Sequence, residues 1–126
     1  MAINLPPPPR EDSSPQQWQQ WYESLWRKVN PAVAVTNDAN DTISNGTTYQ
    51  AVINLTAPRT LVLPASDDLR DGDEIIVQDE SGLAASHNIT ISRSGTDTVN
   101  GGTSVTISAN YGRKTVVKRG SAFFAA

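Results

Sequence analysis

From Pro31 onward the apolar residues of this chain recur at every second position, and turn-forming clusters interrupt them about every ten residues. Tyr49, Ala51, Ile53 and Leu55 alternate with polar or small neighbours. Leu61 and Leu63 repeat the pattern ahead of Pro64, followed by Ile75 and Val77, Ile89 and Ile91, Val105 and Ile107, and Val116-Val117. Between these runs stand Asn45-Gly46, Asp71-Gly72, Ser81-Gly82, Ser94-Gly95, Asn100-Gly101-Gly102 and Tyr111-Gly112. Successive side chains of a strand point to opposite faces, and Asn, Asp, Ser and Gly supply the backbone of tight turns. Residues 31–126 are therefore expected to form a mainly β domain: a small antiparallel β-sandwich or barrel, or a trimeric β prism. Each strand offers only two or three aliphatic residues, so the core is thin and association of copies would supply further buried area.

Upstream of Pro31 the period changes. Ser14 is a good helix N-cap, Pro15 suits the first helical position and Gln17 completes a Ser-x-x-Gln capping box. Asn30-Pro31 ends the segment. Within it Trp18, Trp21, Tyr22, Leu25 and Val29 recur at helical spacing, and Trp26 widens the stripe. All three tryptophans of the chain lie here. A helix of about four turns is marginal alone, so residues 14–30 are expected to bury this stripe, against sister copies, the β domain or a partner. The stripe is thus the candidate oligomerisation and attachment element. Ahead of it, residues 1–13 contain Pro6, Pro7, Pro8 and Pro9, which favour an extended polyproline arm suited to docking on a neighbour.

Charge and composition narrow the function classes. The net charge is −3, and no cysteine is present to supply disulfide or thiolate chemistry. Acids dominate residues 31–80 and bases dominate residues 81–126, an asymmetry that can join neighbouring strands or stack one subunit on another. It gives no support for nucleic-acid binding. No segment has the length and apolarity of a membrane span, and Met1–Arg10 lacks the basic and apolar regions of a signal peptide. The expectation is a chain made in the cytoplasm, with no membrane partner.

The passage Asp71-Gly-Asp-Glu-Ile-Ile-Val-Gln-Asp-Glu-Ser-Gly82, then Asn88-Ile-Thr-Ile, the Gly-rich loop after Ser94, Tyr111-Gly112 and a last strand to Gly120 resembles a β module of bacteriophage tail fibres and other virion proteins. The likeness spans Leu63 to Gly120. Where such modules often carry a Trp after the last Gly, this chain has Ser121-Ala122-Phe123-Phe124. The resemblance implies a homotrimeric, non-enzymatic structural protein of a virion: a capsid decoration or short head fibre, or a tail-fibre adaptor that anchors something longer. Its partners would be itself and other capsid or tail proteins, with no cofactor.

Candidate chemistry is sparse. His87 is the sole histidine, and no strained turn signature places Ser86 or Ser92 beside it as a nucleophile, so no catalytic residue is assigned. The acidic run Asp67 to Glu74 lacks the alternating spacing of a calcium loop, so no metal site is assigned. Carbohydrate binding, as the receptor-binding module of a phage tail, is the alternative function. With the tryptophans confined to the helix, Tyr111 is the candidate glycan contact, although its place before Gly112 also suits a core or rim position.

Overall fold

The structure is a computed structural model that describes residues 14–20 and 32–126. Internal contacts divide the chain at Ala32 into two units. In the first, residues 15–20 are helical. Ser14 Oγ accepts from the Gln17 N–H (3.3 Å), and Gln17 Oε1 accepts from the Ser14 N–H (2.8 Å), so the capping box closes from both sides. Trp18 donates its N–H to the Ser14 carbonyl at 3.2 Å, and its side chain is half-buried. The arm prolines Pro6 to Pro9 and the stripe residues Trp21, Tyr22, Leu25, Trp26 and Val29 lie outside the described residues.

The second unit is built of ten strands: β1 Ala32–Asn37, β2 Asp41–Thr42, β3 Thr47–Ile53, β4 Arg59–Val62, β5 Glu74–Asp79, β6 Ile89–Ser92, β7 Thr98–Val99, β8 Ser104–Ile107, β9 Arg113–Arg119 and β10 Ala122–Ala125. They form a six-stranded sheet in the order β1-β3-β5-β9-β10-β7 and a four-stranded sheet in the order β2-β4-β6-β8. The mainly β expectation holds, but the antiparallel one does not. β3 runs parallel to β5, β2 to β4 and β4 to β6. Up to β6, successive strands alternate between the sheets, so the chain winds as coils that stack in parallel. From β8 it turns back: β8 pairs antiparallel with β6, β9 with β5 and β10 with β9.

Local chemistry explains why the sequence pattern misses this. A tight hairpin turn sets the next strand antiparallel beside the last, whereas parallel neighbours need a longer crossover. Here the crossover is a strand of the opposite sheet. The same Asn, Asp and Gly residues serve either kind of reversal, so turn composition alone does not fix strand direction.

One core lies between the sheets. Val52, Ile75, Val77, Val116 and Phe123 enter it from the larger sheet, and Leu61, Ile89, Ile91 and Ile107 from the smaller. Strand β3 is the exception to its sequence pattern. Val52 and Gln50 point inward, the latter 2% exposed, while Tyr49, Ala51 and Ile53 point away from the core. The apolar alternation read there marks the outer face. Leu55 regains the core because Asn54, with φ +56°, adopts the left-handed conformation and re-aims the chain.

The acidic and basic stretches meet within one chain. β5 lies beside β9, and the buried Lys118 ammonium bonds Asp71 Oδ1 at 2.8 Å. Asp71 Oδ1 also accepts from the Gly120 N–H (2.8 Å), and Asp73 Oδ2 from the Arg70 N–H (2.9 Å). The acidic run thereby serves as turn scaffolding.

Asp38 ties the β1–β2 turn to the segment before β4. It accepts from the Thr56 N–H (2.9 Å) and hydroxyl (2.6 Å) and from Arg59 Nε (3.1 Å) and Nη2 (2.9 Å). Its carboxyl is held down to about 2, first by the Thr56 hydroxyl and N–H and then by the Arg59 guanidinium. A depressed folded pKa confers stability above the ordinary value of 3.8 that is lost as pH falls toward 2. Thermal melts followed by circular dichroism across that range should show a falling midpoint in the wild type and a shallower fall in Asp38→Asn. Equal slopes in the two proteins would contradict the assignment.

Candidate functional site

At the end of β5 the chain places an aspartate in the interior and satisfies it completely. Asp79 is 0% exposed. Its Oδ1 accepts from the N–H groups of Ser81 (3.0 Å) and Gly82 (3.1 Å) and from the Ser81 hydroxyl; its Oδ2 accepts from the N–H groups of Ala84 (3.0 Å) and Tyr111 (3.0 Å). An Asp that ends a strand two residues before Ser-Gly folds its side chain over its own turn, which explains the first four bonds. The fifth comes from the turn that precedes β9. Burial pushes the Asp79 carboxyl up, but the bonds from the Ser81 hydroxyl and the Ala84, Tyr111 and Ser81 N–H groups more than reverse this and leave it below the usual carboxylate range.

The consequence is a displayed aromatic ring. Tyr111 has φ +57°, an uncommon conformation for a bulky residue, and is 68% exposed. Strain of this kind persists only where the surroundings over-determine it. Three contacts do so. The Tyr111 N–H is held by Asp79, its carbonyl accepts from Gln78 Nε2 at 2.9 Å, and its ring lies over Gly82. A Cβ at Gly82 would sit 2.5 Å from the ring carbon Cζ, and Gly82 itself has φ +75°, so glycine alone fits there. The candidate glycan contact thus lies neither in the core nor at its rim; it stands out from the surface.

Polar side chains on β3, β5, β9 and the adjoining turns are bonded to one another. Gln78 Oε1 accepts from Arg113 Nε (2.8 Å), and Tyr49 donates its hydroxyl to Glu80 Oε2 (2.6 Å). That bond to Glu80 holds the Tyr49 phenol above its usual range. The half-exposed Leu83 lies in the Asp79 turn, and Asn110 Oδ1 accepts from the Ala85 N–H at 3.0 Å. An open depression of about 180 Å³ runs alongside, lined by Thr106, Ile107, Ser108, Ala109, Gly112, Arg113 and Lys114. It is smaller than the roughly 300 Å³ at which pockets begin to enclose a small ligand.

His87 is placed elsewhere in the fold. It is half-buried and closes the turn after Leu83, donating its N–H to the Leu83 carbonyl at 2.9 Å. Ser92 lies on β6, in register with Ser104. Among the described residues no three histidine or carboxylate side chains converge as metal ligands, and no helix is long and apolar enough to cross a membrane.

Sequence reasoning missed Asp79 as the organiser of this surface. Its partners Ser81 and Gly82 carried a local signal, the Asp-x-Ser-Gly turn; the bond to Tyr111, across the sheet, carried none. No protein-family model matches the chain, and no curated protein matches it significantly.

Proposed function

We propose that this chain is a non-enzymatic structural protein of a bacteriophage virion that works as a homotrimer, either as a capsid decoration or short head fibre or as a tail-fibre adaptor. The observation that supports the reading is the meeting of its motif elements at Asp79. The Asp-x-x-Gly turn and the Tyr-Gly turn, separate features in the resemblance to virion modules, are hydrogen-bonded to one carboxylate. The motif behaves as one folded unit. In this reading Trp18, Trp21, Tyr22, Leu25, Trp26 and Val29 attach the chain to its sisters or to the particle, Pro6 to Pro9 form the docking arm, and the β domains of three copies form a prism. Mass spectrometry of purified particles of the phage that encodes the chain should detect it in copy numbers divisible by three. Intact particles without it would overturn the reading.

A second reading, a carbohydrate-binding module of a phage tail, is favoured by Tyr111. The ring is exposed, pre-set by Asp79, and its chain neighbours Asn110 and Arg113 carry groups that can hydrogen-bond sugar hydroxyls. A glycan array should then give binding that Tyr111→Ala reduces by roughly tenfold or more, as expected for loss of an aromatic hot spot. Because the ring is exposed, the substitution should leave the thermal midpoint nearly unchanged. An array without signal, or one that Tyr111→Ala leaves intact, would remove this reading.

A further inference from the structure

Two cations, Arg113 and Lys114, follow the Tyr111-Gly112 turn in succession. Arg59 and Lys118 each spend their charge on an aspartate, Asp38 and Asp71, but neither Arg113 nor Lys114 forms an ion pair with a described residue. Arg113 is nonetheless held in place. Its Nε donates to Gln78 Oε1 at 2.8 Å, and Nε2 of the same amide donates to the carbonyls of Asp79 (3.1 Å), Tyr111 (2.9 Å) and Gly112 (3.2 Å). One side chain thus ties the guanidinium to the backbone that displays the tyrosine. With Nε occupied, Nη1 and Nη2 bond no described residue and remain as a two-pronged donor edge. Lys114 pairs in register with Val77, a core residue, so its half-buried stem starts on the inward side of β9. Both cations line the depression of about 180 Å³, together with the exposed Thr106 and Ser108, and no carboxylate does. Glu80, which follows β5, accepts from the Tyr49 hydroxyl and is not part of that lining.

We infer that this depression binds the anionic substituent, a carboxylate or a phosphate, of a sugar that stacks on Tyr111. The inference rests on the carbohydrate-binding reading and names its ligand class, an acidic glycan. Charge decides the class. Two cations and two hydroxyl-bearing residues with no acid among them offer a neutral sugar little that an anion would not use better. Geometry supports it. The planar guanidinium fork matches the paired oxygens of a carboxylate or phosphate, and the Gln78 bond fixes that fork before any ligand arrives, which lowers the ordering cost of binding. Position joins the two contacts. Ala109 and Gly112 line the depression and close the turn at whose tip Tyr111 stands, the Gly112 N–H donating to the Ala109 carbonyl at 2.9 Å. Size agrees as well, because a site below the roughly 300 Å³ of a small-ligand pocket takes one substituent rather than a whole oligosaccharide.

The test applies the full-length chain to an array that carries neutral glycans beside their uronic-acid, sialylated and phosphorylated forms. The strongest acidic ligand and its carboxyl-reduced or dephosphorylated counterpart are then titrated by calorimetry into the wild type, Arg113→Ala and Lys114→Ala. The wild type should prefer the acidic form by about tenfold or more, and each variant should cut that preference to less than about threefold. Added salt should erode the preference in the wild type. Binding of carboxylated forms alone, or of phosphorylated forms alone, would support the inference and identify the substituent. Arg113 is exposed and Lys114 partly so, and unchanged circular-dichroism melts confirm that the variants fold. Where one variant does not fold, the other and the salt dependence carry the test. Equal affinity for acidic and neutral forms, lost in Tyr111→Ala, would overturn the inference and leave the carbohydrate reading standing. A preference that survives in both variants would likewise overturn it. Absence of binding to every glycan would overturn both.

Discussion

Replacing Asp79 with alanine is expected to destabilise the β domain by about 3–5 kcal/mol, measured as the shift in a urea unfolding midpoint at constant slope. The magnitude follows from what is left behind. Four backbone N–H groups and the Ser81 hydroxyl lose their acceptor together; Asp79 and Ala84 are fully buried there and the other donors partly so. Each buried donor left unsatisfied costs about 1–3 kcal/mol, and relaxation of the turn recovers part of the sum. Asp79→Asn should fall between, because its amide keeps one acceptor but turns N–H groups toward N–H groups. A pH effect accompanies this. The folded carboxyl lies below its ordinary value, so its contribution is full above 3.8 and declines as pH falls through the folded value. Loss of under 1 kcal/mol in Asp79→Ala would show that the turns hold by other means.

Phe123→Ala should cost a comparable amount, about 3–5 kcal/mol, while its neighbour Phe124→Ala should leave the stability of an isolated chain within about 0.5 kcal/mol. The two residues are adjacent in sequence and opposite in fate. Phe123 is 1% exposed within the common core; Phe124 is 54% exposed on the outer face. Truncating the first removes a large side chain from between two sheets and leaves a cavity that the short strand β10 closes only in part. Truncating the second removes surface. Parallel urea titrations of both variants provide the measurement, and equal losses would contradict the placement of β10.

Much of this architecture is readable from local chemistry. The Ser14–Gln17 capping box, the inward pairs Leu61 and Leu63, Ile75 and Val77, and Ile89 and Ile91, and the turns at Ser81-Gly82 and Tyr111-Gly112 all follow from residues a few positions apart. Strand direction depends on which distant strand becomes the neighbour, and no residue near the Asp71-Gly72 turn encodes that β5 will lie parallel to β3 and antiparallel to β9. The choice of face is similarly hidden. Alternation at Tyr49, Ala51 and Ile53 is real, but period two is the same whether an apolar face meets the core or a neighbour. The exposure of Tyr111 is not fixed locally for a related reason: its conformation is imposed by a carboxylate on another strand, and a Tyr-Gly pair alone is compatible with either side of the surface.

The reversal of the chain after β6 has a consequence for synthesis. During translation the parallel coils emerge first, and until Arg113 and its successors arrive β5 has paired with β3 on one side only. Its other side is a row of unpaired N–H and C=O groups between Ile75 and Val77, the kind of bare edge along which nascent chains join one another. A released chain truncated ahead of β9 would therefore expose an aggregation template, and the presence of β9 and β10 converts it into an interior strand.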